Sequence, residues 1–375
     1  MTTHKMIWSR KLTRIAGIDV HVHLTFFLIL IWIGLSVWRQ TADLIAVAQG
    51  IGFILILFAC VVMHEFGHAL TARRFGIKTL RITLLPIGGV ATMEKMPDDP
   101  KQEILVALAG PAVNMVIAAV IWLYLSLGIN PGELPTSESN PSILFTSVTH
   151  MLYGVMYLNI LLGVFNLLPA FPMDGGRVLR AALALYMPHH KATEKAAVVG
   201  QGLALVMFIL GLLYNPFLMF ISVFIWLGAA GEAGAEKLQH ALHGLTAKDI
   251  MLSTFTTLNG GDTLGKAIDL SVHSGQHNFP VKMENGDLKV LTHPMLLTAV
   301  REHGEHTALR ELSLPTLTCV EPHADAETLL KNLHSGKALL FGVTKNHVLS
   351  GLISMEEVLE WLSLRQETAK GKKQF

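Results

Sequence analysis

Long apolar segments alternate with short polar ones over the part of the chain before residue 238. Each segment approaches the roughly 20 residues that a helix needs to cross about 30 Å of hydrocarbon. The pattern therefore predicts a polytopic α-helical membrane protein with about six transmembrane helices. They are predicted near residues 20–38, 47–72, 103–128, 145–168, 196–214 and 216–235.

A different pattern separates the second and third apolar segments. Residues 76–94 carry β-branched side chains at nearly alternate positions, around Pro86 and the pair Gly88-Gly89. This pattern predicts a membrane-associated β-hairpin or re-entrant strand pair. Such backbone is tolerated at membrane depth only where it is buried in protein, lines a wet cavity or pairs with another strand.

Shorter elements follow from Thr246. The order strand, helix, two strands, helix occurs twice, in units of about 55–60 residues, which predicts a soluble α/β repeat. The expected domains are a six-helix transmembrane domain at 1–237, a linker at 238–247, a tandem repeat at 248–365 and a flexible tail at 366–375.

The composition agrees with this division. The chain is 51% hydrophobic and 15% charged, which is not a soluble composition. Residues 1–237 carry 16 Lys and Arg against 13 Asp and Glu, and residues 238–375 carry 13 against 15. The net charges are therefore +3 and −2. Neither half has the concentrated basic field that nucleic-acid binding requires, so nucleic acid is not an expected partner.

The loops between the apolar segments differ in basic charge. The amino-terminal segment has four Lys or Arg, residues 73–101 have six and residues 177–195 have four, whereas the alternate loops have one, none and none. Translocated loops are poor in Lys and Arg. Both termini are therefore predicted to be cytoplasmic, in an integral membrane protein of a bacterial or archaeal-type cell membrane.

The string His64-Glu65-Phe66-Gly67-His68 lies near the predicted cytoplasmic end of the second apolar segment. Its i, i+4 spacing places both imidazoles on one helical face, where they can share a tetrahedral metal ion, and Glu65 is the natural general base for a metal-bound water. Ionisable groups at membrane depth cost about 2.5–3.5 kcal/mol each and need partners. The alternative interpretation is a headgroup-level cluster that forms ion pairs beside Arg73 and Arg74.

A catalytic zinc commonly takes three protein ligands. Asp174 is the candidate for the third, because it follows the fourth apolar segment and thus lies at the predicted depth of the two histidines. Pro169, Pro172, Gly175 and Gly176 are expected to break the helix around it. The alternative is a turn aspartate that caps the next helix.

Three separate motifs together resemble the site-2 protease family of intramembrane zinc metalloproteases. They are His64 to His68, the Ala109-Gly110-Pro111 and Asn114 of the third apolar segment, and Asn166 to Arg177. The resemblance covers residues 8 to about 237. It implies that His64, His68 and Asp174 bind one Zn²⁺ and that Glu65 activates the bound water.

The resemblance also implies substrate contacts. Asn166 matches an asparagine that is thought to hold the substrate backbone in this family, and the hairpin with Gly88 and Gly89 resembles an edge offered to an unwound substrate. His23 lies in a stretch that the family often shares, and we interpret it as structural.

The carboxy-terminal repeat resembles a tandem cystathionine-β-synthase (CBS) domain pair, a module that often senses adenine nucleotides. The second copy reads Gly351-Leu-Ile-Ser354-Met-Glu-Glu357, with Glu where such domains often have Asp, and the first copy, Leu291-Thr-His-Pro-Met295, has no acid. Ser354 and Glu357 are the candidate residues for binding ATP or AMP. The alternative is a ligand-free scaffold for substrate docking or for homodimerisation.

The function predicted from these features is zinc-dependent cleavage of a transmembrane or membrane-proximal segment of a membrane-anchored, regulatory protein near the cytoplasmic face. Its expected partners are this membrane-spanning substrate and the lipid bilayer. Two alternatives are a transporter or channel regulated by the CBS pair, whose polar residues line an ion path, and a catalytically silent binding scaffold.

Overall fold

The chain forms two compact units in a computed structural model that describes residues 9–86, 88–93, 97, 99–127, 148–346 and 348–361. The amino-terminal unit is Lys5–Glu236, and the carboxy-terminal unit comprises Lys237–Phe375. The flexible tail expected at 366–375, and residues 362–365 of the expected repeat, lie outside the described residues.

Seven helices begin before residue 240 in the described part of the chain. They are α1 (Phe26–Thr41), α2 (Leu44–Arg74), α3 (Pro100–Ser126), α4 (Val148–Asn166), α5 (Asp174–Ala184), α6 (His189–Tyr214) and α7 (Pro216–Leu242). Five of these, namely α2, α3, α4, α6 and α7, are long and apolar enough to cross a membrane. The predicted class of a polytopic helical membrane protein is therefore confirmed.

The helix starts follow from local chemistry. The Asp43 carboxylate accepts the backbone N–H of Ile45 at the start of α2, and the Asp99 carboxylate accepts that of Lys101 at the start of α3. Both carboxylates cap backbone donors that have no partner inside the helix. Pro100 opens α3, where its missing N–H costs nothing.

The first predicted span is wrong in its boundaries. Residues 20–23 belong to a strand, and α1 has 16 residues from Phe26, which is short of the roughly 20 that a perpendicular span needs. The reason is the alternation of residues 18–23, which directs Ile18, Val20 and Val22 to one side. There Ile18 packs against Ala69 of α2, and Val22 packs against Phe26 and Phe58.

The predicted hairpin is part of a larger sheet. Strands β1 (Ser9–Ile15), β2 (Ile18–His23), β3 (Thr79–Leu85) and β4 (Gly88–Met93) lie in this order. The pairs β1–β2 and β3–β4 are antiparallel, whereas β2 and β3 are parallel. The sheet therefore joins two hairpins, of which only the second was expected, and β4 forms one of its edges in the described part of the chain.

Three side chains of the segment between α4 and α5 are buried. Phe171 is 1% exposed and packs against Ala196, Ala197 and Ala229, while Ala170 and Met173 pack with Ala204 and Ile225. Helices α6 and α7 therefore pack against the segment that leads to Asp174.

The carboxy-terminal unit contains the predicted repeat. Strands β5 (Leu258–Asn259), β6 (Phe279–Lys282) and β7 (Leu288–Leu291) form one sheet, and β8 (Thr318–Val320), β9 (Phe341–Lys345) and β10 (Val348–Ile353) form the other. In both sheets the first pair is parallel and the second antiparallel. The helices are α8 (Ala247–Ile250), α9 (Leu264–Ser274), α10 (His293–His303) and α11 (Ala326–His334), and residues 355–361 are also helical.

In each repeat, the segment before the first strand pairs with the last strand of the other repeat. Leu252, which precedes the first sheet, pairs with Leu352 of β10, and Thr316, which precedes the second, pairs with Lys289 of β7. Val290, Leu317, Leu340 and Leu352 form a buried cluster between the repeats. The expected linker, 238–247, is helical as far as Leu242, which is fully buried in the core around α11.

Candidate metal centre

Two imidazoles meet inside the amino-terminal unit. His64 and His68 of α2 are 5% and 3% exposed. Their Nε2 atoms lie 3.1 Å apart, because residues four apart in an α-helix share one face. The i, i+4 spacing in the sequence therefore brings the two Nε2 atoms together in the protein interior.

Asp174 reaches the same point from another helix. Its Oδ2 lies 3.2 Å from His64 Nε2 and 3.1 Å from His68 Nε2. Among the described residues, His64, His68 and Asp174 form one group of three side chains that could hold a metal ion. Asp174 is the first residue of α5 and Met173 is the N-cap, so the carboxylate points to the histidines instead of capping the helix.

The glycines after Asp174 do not break the helix as expected. Gly175 and Gly176 lie in the first turn of α5. A Cβ at Gly175 would lie 2.3 Å from the carbonyl oxygens of Leu167 and Leu168, and one at Gly176 would lie 2.6 Å from the carbonyl carbon of Ala170. The glycine pair is therefore required for close packing of α5 against the preceding segment, which fixes the direction of the Asp174 side chain.

Helix α3 orients both imidazoles. His68 Nδ1 lies 2.7 Å from the backbone oxygen of Val106, and His64 Nδ1 lies 3.2 Å from Oδ1 of Asn114. A carbonyl oxygen only accepts hydrogen bonds, so each Nδ1 carries the proton and donates it. With the proton on Nδ1, each ring can offer its Nε2 lone pair to a metal ion, as metal-binding histidines do.

Close helix contact makes this geometry possible. A Cβ at Gly110 of α3 would lie 2.2 Å from His68 Nε2 and 2.7 Å from His64 Nε2. A Cβ at Gly67 of α2 would lie 2.6 Å from the backbone oxygen of Ala109. A side chain at either position would push the two helices apart or displace the rings, so both positions require glycine.

The three atoms fit a zinc ion. Tetrahedral zinc with ligand bonds of about 2.0–2.1 Å separates its ligand atoms by about 3.3 Å, close to the 3.1 and 3.2 Å observed here. Two imidazole lone pairs and a carboxylate oxygen repel one another at this distance unless a cation lies among them. The donor set of two nitrogens and one oxygen is also one that zinc accepts in catalytic sites.

Glu65 lies beside this group and under the sheet. Its carboxylate interacts electrostatically with His64, His68 and Asp174. A Cβ at Gly89 of β4 would lie 2.9 Å from Glu65 Cγ and 3.4 Å from Oε1. The backbone of β4 therefore passes next to the candidate base, and Gly88 begins the same strand.

Asn166 ends the helix that precedes the Asp174 segment. It is the last residue of α4, half-buried, and its amide donates to the backbone oxygen of Leu162 at 3.0 Å. The chain continues from this helix end into the segment before Asp174.

The candidate nucleotide residues contact each other. The backbone N–H of Ser354 donates to Glu357 Oε2 at 2.6 Å, and the backbone N–H of Glu357 lies 3.4 Å from Ser354 Oγ. This reciprocal arrangement is a capping box for the helix at 355–361. One Glu357 oxygen is therefore used in capping.

Sequence reasoning missed the groups that orient the ligands. The Val106 carbonyl could not be predicted from the sequence, because every residue has a backbone oxygen and only the fold decides which one meets a histidine. Gly110 and Asn114 were predicted only as parts of a family motif. The structure shows that a side chain at Gly110 would collide with both imidazoles and that the Asn114 amide oxygen accepts from His64.

Comparison with known proteins agrees with this site. The sequence model of peptidase family M50 matches residues 52–136 and 132–211. A zinc metalloprotease of Methanocaldococcus jannaschii is 32% identical over 364 residues, which cover 96% of this chain and 97% of that protein.

Two solved structures are also similar. A site-2 protease from Methanocaldococcus jannaschii is 36% identical, with coverage of 60% of this chain and 95% of that chain and a TM-score of 0.43. A hemolysin-like protein containing a CBS domain, from Oenococcus oeni, is 14% identical, with coverage of 34% and 96% and a TM-score of 0.30.

The identity to the archaeal zinc metalloprotease extends over nearly the full length of both proteins. The family match at residues 52–136 and 132–211 includes the histidine pair and Asp174. The apolar helices that surround these residues are long enough to cross a membrane. The chain therefore belongs to peptidase family M50, the site-2 protease family, and is a zinc metalloprotease integral to the membrane.

Proposed function

We propose that this protein is an intramembrane endopeptidase that cleaves a transmembrane or membrane-proximal segment of a membrane-anchored regulatory protein near the cytoplasmic face. One observation carries the proposal. Three ligand atoms, His64 Nε2, His68 Nε2 and Asp174 Oδ2, converge beside Glu65 between helices that are long enough to cross a membrane.

The residues of the metal centre have separate roles in the proposed hydrolysis. His64, His68 and Asp174 would hold one zinc ion per chain. When bound, zinc polarises the scissile carbonyl and lowers the pKa of its water to about 7. Glu65 then takes a proton from the attacking water as the new C–O bond forms, and it delivers that proton to the amide nitrogen as the C–N bond breaks.

The edge strand β4 supports a mode of substrate binding. A membrane-spanning helix hides its amides in internal hydrogen bonds, so a segment must unwind before it can be cut. An unwound segment can pair with the free backbone edge of a strand. Because Gly89 brings β4 next to Glu65, a segment added along this edge lies beside the base, and Asn166 is proposed to hold its backbone. Substrates are expected to contain helix-weakening residues near the cut.

The orientation is also part of the proposal. Both termini are proposed to lie in the cytoplasm, because the basic residues concentrate at 73–101, which starts in the last turn of α2, and at 177–195, which starts in the first turn of α5. The metal-binding group lies near the end of α2 and at the start of α5, so cleavage is proposed on the cytoplasmic side of the bilayer.

Metal removal tests the proposed activity directly. The purified full chain is reconstituted in lipid vesicles with a membrane-spanning reporter that has a Gly- or Pro-containing segment. We expect a cleavage product that disappears after zinc chelation and returns when Zn²⁺ is restored, measured by mass spectrometry of the fragments. Zinc flux into the vesicles without any cleavage product would instead support the transporter alternative.

We also propose that the carboxy-terminal unit binds an adenine nucleotide at the start of the helix at 355–361. Ser354 offers a hydroxyl group there, and the Glu357 oxygen that does not cap the helix could accept a ribose hydroxyl. Calorimetry of the full chain with ATP and AMP should show heat that is lost in Glu357→Ala. Absence of heat from the unchanged chain would contradict this proposal. A homodimer through this unit stays a prediction.

A further inference from the structure

A cluster of charged residues in the amino-terminal unit, two of them buried, connects α3, α5, α6 and α7. Arg180 of α5 is 4% exposed and Glu103 of α3 is 1% exposed. Arg180 Nε donates to Glu103 Oε1 at 2.8 Å, and Arg180 Nη1 donates to Glu232 of α7 at 2.8 Å. His189 lies 3.5 Å from Glu103 and 3.1 Å from Glu236. We call these five residues the ionic cluster.

The cost of burying these charges needs an explanation. Removing a guanidinium and a carboxylate from water is expensive, and a well-packed apolar pair is often as stable as a buried ion pair. Stability alone therefore does not account for Arg180 and Glu103. A directional contact does, because the Arg180 guanidinium donates from both Nε and Nη2 to the same oxygen, Oε1 of Glu103, which constrains its distance and its orientation.

Arg180 connects the segment before Asp174 with the helix after it. It lies on α5, the helix that Asp174 begins, and its guanidinium carbon lies 5.4 Å from the centre of the Phe171 ring, three residues before Asp174. The cation and the ring are close enough to attract each other. The segment before the carboxylate and the helix after it are thus both fixed to the same side chain.

Glu103 lies on the helix that orients the histidines. Its neighbour one turn later, Val106, accepts the proton of His68 Nδ1, and Gly110 of the same helix abuts both imidazoles. The pair Arg180–Glu103 therefore connects the helix that carries Asp174 to the helix that sets the rings of His64 and His68.

We propose that Arg180 and Glu103 are positioning residues, whose pairing sets the distance between Asp174 and the two imidazoles and thereby the metal affinity of the site. This inference rests on the proposed zinc site. Neither residue touches the substrate or the reacting atoms in this proposal, and both act through the placement of Asp174.

The test measures metal binding and not only cleavage. Arg180→Lys keeps the charge balance but cannot form the Nε and Nη2 pair of bonds. In the full chain in detergent, we expect Co²⁺ affinity to fall roughly 10–100-fold, as for other groups that support metal ligands. The visible absorption of bound Co²⁺, which reports coordination geometry, should change as well.

A second variant and a matched control accompany it. Glu103→Gln with Arg180→Met removes both charges of the buried pair together, so neither is left facing an uncompensated partner, and it should show the same loss of affinity and the same spectral change. Glu232→Gln removes the other partner of Arg180 and leaves the contact with α3, so its Co²⁺ affinity and spectrum should equal those of the unchanged protein.

Two results would overturn the proposal. One is a wild-type Co²⁺ affinity and spectrum in both Arg180→Lys and the double variant, and the other is an equal loss in Glu232→Gln. Failure of the protease proposal would look different, because the unchanged protein would bind metal with the expected dependence on Arg180 yet cleave no membrane-spanning reporter.

Discussion

Replacing Glu65 with Gln is expected to leave zinc bound and to reduce peptide cleavage by about 10²–10⁴-fold, the usual contribution of a general base. Gln has the same shape as Glu, so the contact with Gly89 is preserved, but its amide cannot take a proton from water. The three candidate ligand atoms belong to other residues, which is why metal content should not change.

Two measurements on the same preparation check this expectation. Zinc per chain is determined by elemental mass spectrometry, and the cleavage rate is determined with the reporter in vesicles. Glu284→Gln is the matched control, because Glu284 is an exposed partner of Arg310 in the carboxy-terminal unit. Undiminished proteolysis in Glu65→Gln would reject the assignment of the base, and loss of zinc would indicate that the variant is misfolded or that Glu65 is itself a ligand.

The histidine pair was the most predictable part of the site. Helical periodicity alone places His64 and His68 on one face, and the structure gives their Nε2 atoms a separation of 3.1 Å. Asp174 lies 106 positions after His68, and no periodicity connects such distant residues. Its selection depended on the predicted depth of the fourth apolar segment and on the family resemblance.

The first hairpin and α5 could not be predicted for physical reasons. Residues 20–23 adjoin a strongly apolar stretch, which favours their assignment to a helix, but antiparallel pairing with β1 and parallel pairing with the distant β3 make them a strand. Gly175 and Gly176 have low helix propensity, yet they open α5 because tertiary packing leaves no room for a Cβ. In both cases long-range contacts overrode the local preference.

The ionic cluster illustrates a further limit of the sequence. Arg180 and Glu103 are 77 positions apart, and each looks like an ordinary charge at a helix end. Their burial to 4% and 1% exposure becomes visible only when α3 and α5 are packed together. The resemblance to a known family indicated the ligands but gave no reason to select these two residues.

Replacing Asp174 with Ala is expected to abolish stoichiometric zinc binding. Groups that merely support metal ligands are worth roughly 10–100-fold in affinity, and a carboxylate that meets both imidazoles should be worth more, because it supplies the only negative charge among the three candidate ligands. Asp174→Asn keeps an oxygen in nearly the same place without the charge, so its affinity should lie between those of the unchanged protein and Asp174→Ala.

Thermal unfolding separates loss of metal from loss of fold in these variants. A ligand that binds only the folded state stabilises it by about 2.7 kcal/mol at a free concentration of 100 times its dissociation constant. The melting temperature of the unchanged protein should therefore rise when Zn²⁺ is added, and that of Asp174→Ala should not. A zinc-dependent rise in Asp174→Ala equal to that of the unchanged protein would remove Asp174 from the ligand set. Because two imidazoles alone hold zinc weakly, a third ligand would then have to be sought elsewhere in the chain.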